Sequence, residues 1–309
     1  MTPLRIATRA SELALWQARH VAGRIAERLG RATELVPLTT SGDRLRDVSL
    51  ADVGGKGLFV KEIEEALLDG RADLAVHSAK DLPGASPPEL VFAAFPERAD
   101  PRDALVSRTA ASVVALPRGA RVGTGSVRRS AQLRLARPDL RVEPLRGNVP
   151  TRIAVLDRGD LDAVVLACAG LDRLQLAGRI AERIDPALLL PAVGQGALAI
   201  QCRRADALAD ALAELGDPGT TTCLAAERAC QARLGADCNV PLGAHAELTA
   251  SGRVTLRARL LDPDGGAPIE RSATGAAADA AAVGEGVAAQ VLAAGGEALL
   301  ARLVARGAA

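Results

Sequence analysis

The sequence predicts an α/β protein: two successive α/β units flanking a cleft, followed by a smaller α+β part at the C-terminal end. Three observations predict it. The first 80 residues alternate strand and helix patterns as β-α-β-α-β, the order that gives a parallel, helix-covered sheet. A second alternating series begins after the Pro/Gly-rich run Pro83-Gly84-Ala85-Ser86-Pro87-Pro88. Beyond Leu234 the pattern changes to strands joined by turn chemistry at Ser251-Gly252 and at Pro263-Asp264-Gly265-Gly266.

The elements follow in order. Leu4-Ile6-Ala7 reads as a short strand. From Ser11, the apolar residues Ala14, Ala18, Val21 and Ile25 recur at helical spacing, and Gly30 ends the helix. Thr33 to Leu38 is a second strand. Phe59, Val60, Ile63 and Leu67 mark another helix that stops at Gly70, and Asp73 to Val76 forms a third strand running into His77–Pro83. In the second unit, strands are expected at Ala104–Val106, Arg121-Val122, Arg141–Leu145 and Leu161–Leu166. Helices are expected at Val127–Arg137, Pro150–Arg158 and from Gly170 onward. Leu190 to Gly196 reads as a crossing back, followed by a strand at Ala197–Gln201. A helix near Thr221–Leu234 precedes the loop Gly235–Gly243, then strands at Ala246–Thr249 and Val254–Leu260 and an Ala-rich helical end.

Composition narrows the function. The 309 residues carry 38 basic and 37 acidic side chains, a formal net charge of +1, where a nucleic-acid binder would show a strong basic excess. One Trp, three Phe and no Tyr leave no stacking platform for single strands. Five cysteines (Cys168, Cys202, Cys223, Cys230, Cys238) include no C-x-x-C pair, which argues against a disulfide framework or a zinc knuckle. The N-terminal residues show no signal-peptide h-region, and no uncharged stretch approaches the ~18 residues of a membrane helix. A cytoplasmic protein, off the membrane and free of nucleic acid, is expected.

Only three of the 38 basic residues are lysine, and Lys56, Lys61 and Lys80 fall within 25 positions of one another. Ammonium and guanidinium are not interchangeable, so these lysines mark places where chemistry rejects arginine, unless they are survivors of an arginine-biased composition. Ligands in open α/β sheets bind where loops leave the carboxyl ends of strands, and the unusual residues gather there. Arg9 and Ser11 follow strand one. Lys80 and Asp81 follow strand three. Gly123-Thr124-Gly125-Ser126-Val127-Arg128-Arg129 follows a strand and opens a helix, and Arg146-Gly147-Asn148 precedes Arg152. Two facing units would leave a cleft rimmed by Arg9, Lys80, Arg128, Arg129, Arg146 and Arg152.

Several of these features have two readings. Gly123–Ser126 is an ordinary strand-to-helix turn or, with two arginines behind it, an anion site at a helix N-terminus. It is not G-x-G-x-x-G, and Lys56 lacks the Walker spacing. Asp81, the acid of a basic loop, is a cap or partner of Lys80, or a carboxylate kept ionised to stabilise a substrate cation. His77 reads as a structural residue at a strand end. Four cysteines sit in contexts of small buried hydrophobes, whereas Cys238 lies in a loop, as a free thiol or a covalent attachment point.

Eight blocks in order make the chain resemble the hydroxymethylbilane synthase (porphobilinogen deaminase) family over nearly its whole length. They are Arg5–Arg9 with Leu15-Trp16-Gln17, Gly55–Glu62, His77–Pro83, Gly125–Arg129, Arg146–Val149, Pro191–Ala197, Glu227–Ala229 and the Cys238 loop. The resemblance implies a transferase that deaminates porphobilinogen and joins four units head to tail on a covalent dipyrromethane cofactor, then releases the linear tetrapyrrole by hydrolysis. It implies a thioether to Cys238 and a catalytic role for Asp81. It also implies carboxylate or cofactor binding by Arg9, Ser11, Gln17, Lys80, Thr124, Ser126, Arg128, Arg129, Arg146 and Arg152, with Arg173 alongside. It further implies three domains in a monomer: 1–96 with 192–215, then 97–191, then 216–309, the first two like type II solute-binding proteins. No metal is called for.

Each porphobilinogen carries an acetate and a propionate, so a neutral protein with a local cationic cluster suits the growing chain, and loss of ammonia leaves an azafulvene-like cation that an ionised Asp81 would stabilise. Two departures are visible: Ala79 where a larger apolar residue is expected, and Ala236-Asp237 where Gly-Gly is expected before the cysteine. The first would loosen packing behind the loop; the second bears on the backbone freedom of the loop. Two rival readings share part of the pattern. An anion-binding or ligand-sensing regulator would need neither Asp81 nor Cys238. A phosphoribosyltransferase would need a phosphate loop and metal carboxylates that the sequence does not offer.

Overall fold

A computed structural model describes residues 2–40, 60–237 and 239–307. Lys56, Cys238 and most of the Gly55–Glu62 block lie outside the described residues. Strand β1 (Leu4–Arg9) pairs in parallel with β2 (Thr33–Leu38) and β3 (Leu74–Ser78). Helix α1 (Glu12–Leu29) connects the first two. Ser11 caps it by accepting from the Ala14 N–H, Gly30 closes it in the left-handed conformation, and Gln17, Ala18, Val21 and Ile25 are its buried face. Helix α2 (Lys61–Leu68) covers the sheet with Ile63, Ala66 and Leu67.

The parallel sheet expected for this unit is in fact mixed. Its order is β2-β1-β3-β10-β4, with β10 (Leu198–Arg203) running antiparallel between β3 and β4 (Leu90–Ala94). The second sheet repeats the plan as β7-β6-β8-β5-β9: β6 (Arg121–Thr124) lies parallel to β7 (Arg141–Pro144) and β8 (Ala163–Ala167), with β5 (Asp103–Ser107) antiparallel and β9 (Glu182–Ile184) at the edge. In each unit the antiparallel strand is the one that enters from the other unit. Two segments, residues 95–102 and 190–197, make the crossings and bond to one another. Ala99 donates its N–H to the Gly196 carbonyl at 3.2 Å, and Gln195 Nε2 donates to the Pro101 carbonyl at 2.7 Å.

Helices α3 (Val127–Ala136) and α4 (Val149–Asp157) start at Ser126 and Asn148, whose side chains cap them. Helix α5 (Cys168–Arg173) begins two residues before the expected Gly170, so Cys168 opens a helix. The short helix α6 (Leu208–Ala213) follows β10.

The third part has its own hydrophobic cluster. Helix α7 (Pro218–Leu234) and helix α8 (Ala280–Val291) pack on the antiparallel sheet of β11 (Leu242–Leu248), β12 (Arg253–Leu260) and β13 (Ile269–Ala276). The run Ala277–Ala305, which includes α8 and most of α9 (Glu297–Gly307), is long and apolar enough by composition to cross a membrane, a property that the search for an uncharged stretch did not register. Its face of Ala280, Val287, Ala288 and Val291 is packed into the third cluster.

Candidate active site

The loop after β3 carries the candidate chemistry. Ala79–Asp81 forms a single 3-10 turn at the strand's carboxyl end. Three contacts hold it. The Ala79 N–H donates to the Ala197 carbonyl at 3.0 Å. Gln17 Nε2 donates to Ser78 Oγ at 2.9 Å. The crossing segment lies so close that a Cβ on Gly194, whose φ is +68°, would come within 3.0 Å of the Ala79 carbonyl carbon and the Lys80 nitrogen. Only glycine satisfies both that conformation and that approach. Ala79 is buried at 2 % exposure in a cluster with Val60, Leu82, Ala197, Ala199 and Leu224, so its small side chain packs behind the loop.

Asp81 and Lys80 are half-buried. On one side of Asp81 a cavity of about 60 Å³ is lined by Arg9, Ser11, Gln17, His77 and Ser78 among others. On the other side stand the cations of the second unit. Burial and the neighbouring Arg129 push the Lys80 ammonium down to about 8, against the opposing pull of Asp81. Burial, Arg129 and Arg146 likewise push Arg152 down to about 10, with Asp81 again opposing. These interactions bring Asp81, Lys80, Arg129, Arg146 and Arg152 into one electrostatic neighbourhood drawn from both units. Arg152 Nε donates to the Gly147 carbonyl at 2.8 Å. Its guanidinium lies over Gly125, where a Cβ would sit 3.5 Å from Nη2 and 2.6 Å from the Leu145 carbonyl oxygen. The Thr124–Ser126 turn and Arg152 are therefore adjacent, as an anion site at a helix start requires. Arg173 bridges the units: Nη2 donates to the Gly196 carbonyl at 2.7 Å, and the guanidinium lies 5.9 Å from the Trp16 ring centroid. Burial pushes it down to about 10.

Arg128 and Arg129 differ from the expected rim of the cleft. They are 3 % and 5 % exposed and turn into the second unit around the buried carboxylate of Asp103. Arg128 Nη1 donates to Asp103 Oδ2 at 2.8 Å and to the Leu190 carbonyl at 2.7 Å. Arg129 Nε donates to Asp103 Oδ1 at 2.8 Å, and Gln195 Nε2 adds a bond to the same oxygen at 2.9 Å. Burial alone would raise the Asp103 pKa; the two guanidinium groups outweigh it and hold the group well below the usual carboxylate range. The helix-start spacing locates these arginines but does not say which way they turn, and the partner that decides it is 25 residues upstream.

Two further groups had no role assigned from the sequence, although Glu227 falls in one of the blocks that carry the resemblance. Asp103 looks like an ordinary strand-edge acid, and the only signal is its place directly before the apolar run Ala104–Val106. Glu227 is fully buried on α7. It accepts from Arg98 Nη1 at 2.7 Å, the Gly194 N–H at 2.7 Å and the Ala246 N–H at 2.8 Å. It thus ties the third part to both crossing segments, one of them beside the Asp81 turn. His77 is structural, as expected: Nε2 meets Gln201 Oε1 at 3.0 Å, and burial lowers its pKa to about 4.

Cys168, Cys202, Cys223 and Cys230 are buried free thiols, pushed up by burial to about 11 or 12. Cys238 itself is outside the described residues, but its neighbours are not. Gly235 caps α7 with φ +61°. The Asp237 carboxylate then accepts the Asn239 N–H at 2.9 Å. Asp237 thereby adds a local constraint that glycine could not supply.

Comparison with known proteins identifies the family. Residues 4–211 match the family model "Porphobilinogen deaminase, dipyromethane cofactor binding domain", and residues 221–293 match "Porphobilinogen deaminase, C-terminal domain". A porphobilinogen deaminase of Chromobacterium violaceum is 50 % identical over 308 residues, covering 99 % of both chains. One from Syntrophotalea carbinolica is 50 % identical over 303 residues, covering 97 % of this chain and 96 % of its own. Among solved structures, the BvgS periplasmic VFT2 domain of Bordetella pertussis aligns at 20 % identity and a TM-score of 0.41. It covers 69 % of this chain and 86 % of that one, a likeness too low to add to the fold described above. With family models over both segments and half-identical relatives over its full length, the chain belongs to the porphobilinogen deaminase family.

Proposed function

We propose that this chain is a hydroxymethylbilane synthase. In this reading it releases ammonia from porphobilinogen and joins four units head to tail on a dipyrromethane thioether-linked to Cys238. The observation that carries the reading is a half-buried carboxylate, Asp81, set among cations that crowd one another. Lys80 at about 8 and Arg152 at about 10 are destabilised by burial and by neighbouring guanidinium groups. Acetate and propionate groups would offset that mutual repulsion, so the donor set fits a polycarboxylate. The four described thiols are raised to about 11 or 12 and are poor nucleophiles near neutral pH, which favours the loop cysteine Cys238 for attachment.

When bound, the dipyrromethane supplies the pyrrole carbon to which the next unit adds. Asp81 stabilises the cation left on porphobilinogen as ammonia departs and accepts from pyrrole N–H groups. Lys80, Arg146, Arg152, Thr124 and Ser126 hold carboxylates on the second-unit side. Arg9, Ser11 and Gln17 line the small cavity on the first-unit side, and Arg173 braces the two units. Arg128 and Arg129 contribute positive potential from behind, each with donors to Asp103 and to neighbouring groups of the second unit and the crossing segment. His77, neutral by burial, leaves Asp81 as the group able to answer a developing positive charge. The three sheets, each with its own hydrophobic packing, support a division into 1–96 with 192–215, 97–191 and 216–309. Action as a cytoplasmic monomer belongs to the same proposal, and light scattering at working concentration checks the subunit count.

Intact-mass measurement tests the reading. Purified protein is expected to exceed its sequence mass by two porphobilinogens less two ammonias, and Cys238→Ser is expected to lose that increment. An active enzyme at unmodified mass would overturn the attachment.

A further inference from the structure

We propose that the groove between helix α7 and the Ser86–Phe95 segment is a second binding site, separate from the cleft, for a small carboxylate on an apolar, aromatic-sized body. The groove has a volume of about 420 Å³, within the range of small-molecule pockets. Its wall is mainly apolar, with Pro87, Pro88, Phe92, Phe95 and Leu224 prominent, and none of the cleft residues named above lines it.

The polar groups say what it would take. Arg228 and Ser86 both line the groove, and Arg228 Nη1 and Ser86 Oγ are each buried without a hydrogen-bond partner among the described residues. Buried polar groups are nearly always satisfied, so two orphans in one groove call for an explanation. The guanidinium can only donate and the hydroxyl is free to donate; what satisfies both is an acceptor. The lining includes no acidic residue. Arg204, the other cation there, is committed to the Pro88 carbonyl at 2.8 Å and the Leu90 carbonyl at 3.1 Å. Arg228 is less engaged: Nη2 donates to the Pro83 carbonyl at 3.3 Å, and the guanidinium lies 5.1 Å from the Phe92 ring centroid. A planar carboxylate matches a guanidinium edge, and the Phe and Pro wall matches the apolar body behind it. Phosphate or sulfate, solvated on every side, would leave that wall unused. Pro83 stands two residues from Asp81 in the chain, so the site adjoins the catalytic loop without sharing its residues.

Calorimetric titration of the full-length protein with indole-3-acetate tests this, with indole-3-ethanol as the uncharged counterpart. Indole-3-acetate is expected to bind at least about tenfold more tightly than indole-3-ethanol, and Arg228→Gln to weaken it by about tenfold or more, as expected for loss of a charge-assisted hydrogen bond. Ala225→Phe, at an exposed position of α7 on the groove wall, is expected to block binding without touching the core. It decides the question if Arg228→Gln fails to fold. Arg146→Gln, in the cleft, is expected to leave the affinity for indole-3-acetate unchanged. No binding, equal binding of the two probes, unchanged binding in Ala225→Phe, or loss in Arg146→Gln would each overturn the proposal.

Discussion

Asp103→Asn removes one negative charge from the most enclosed ionic cluster of the second unit. In the native protein the carboxylate accepts from Arg128, Arg129 and Gln195, with both arginines at 5 % exposure or less and Asp103 at zero. Asparagine keeps the shape but offers one oxygen, and its NH₂ group points at a donor. Two buried guanidinium groups are then left without a counter-charge. Breaking a buried pair in this way costs about 3–5 kcal/mol, whereas an exposed pair would cost about 0–1 kcal/mol. At a urea dependence of roughly 2–3 kcal/mol per molar, the midpoint for loss of helical circular dichroism should fall by about 1–2.5 M. A loss below about 1 kcal/mol would show that the arginines are solvated and free to face the cleft, and would refute the buried arrangement.

Lys80, at about 8 through burial and Arg129, should lose its charge as pH rises through that value. The KM for porphobilinogen should therefore climb between about pH 7.5 and 9.5, and Lys80→Arg should flatten that climb. A KM independent of pH in wild type would contradict it. Glu227 would be raised by burial, but Arg98 and His245 hold it at about 2. A depressed carboxyl contributes stability that is present above its unfolded pKa and lost as pH falls through the folded one. Wild type should lose stability between about pH 4.5 and 2 in acid titration by circular dichroism, more steeply than Glu227→Gln, which should start about 3–5 kcal/mol lower. Gly194→Ala places a Cβ against the Ala79-Lys80 backbone in a left-handed conformation. It should lower turnover while the second sheet's hydrogen-exchange protection stays intact.

Much of this was legible in the sequence because local rules and tertiary structure agree. Ser11 and Gly30 bound α1 as caps should, Asp81 and Arg146 fall in loops after strands, and Arg9, expected just beyond strand one, is its last residue. Strand direction was not legible: Leu198–Arg203 has the same apolar signature whether it pairs parallel or antiparallel with β3. Three edge strands, Leu90–Ala94, Glu182–Ile184 and Ile269–Ala276, were missed, whereas Thr33–Leu38 and Arg141–Pro144, also at edges, were expected. Ile269–Ala276 alternates polar and small residues on a half-exposed edge, and Glu182–Ile184 is three residues long. The inward turn of Arg128 and Arg129 depends on Asp103, and the tie from Glu227 to Gly194 depends on a fold that brings positions 33 residues apart together. Neither leaves a periodic mark on the chain.

The central claim is that Asp81 answers positive charge developing on the substrate, and single-turnover ammonia release from cofactor-loaded protein tests it most directly. Asp81→Asn keeps the size of the side chain, and as a mere cap it would cost about 1 kcal/mol of stability and leave release intact. The account predicts that a stably folded Asp81→Asn variant still binds porphobilinogen but releases ammonia slower by a factor on the order of a hundred or more, with Asp81→Glu retaining part of the rate. Release at the wild-type rate would contradict the account and move the chemistry to another residue of the cleft.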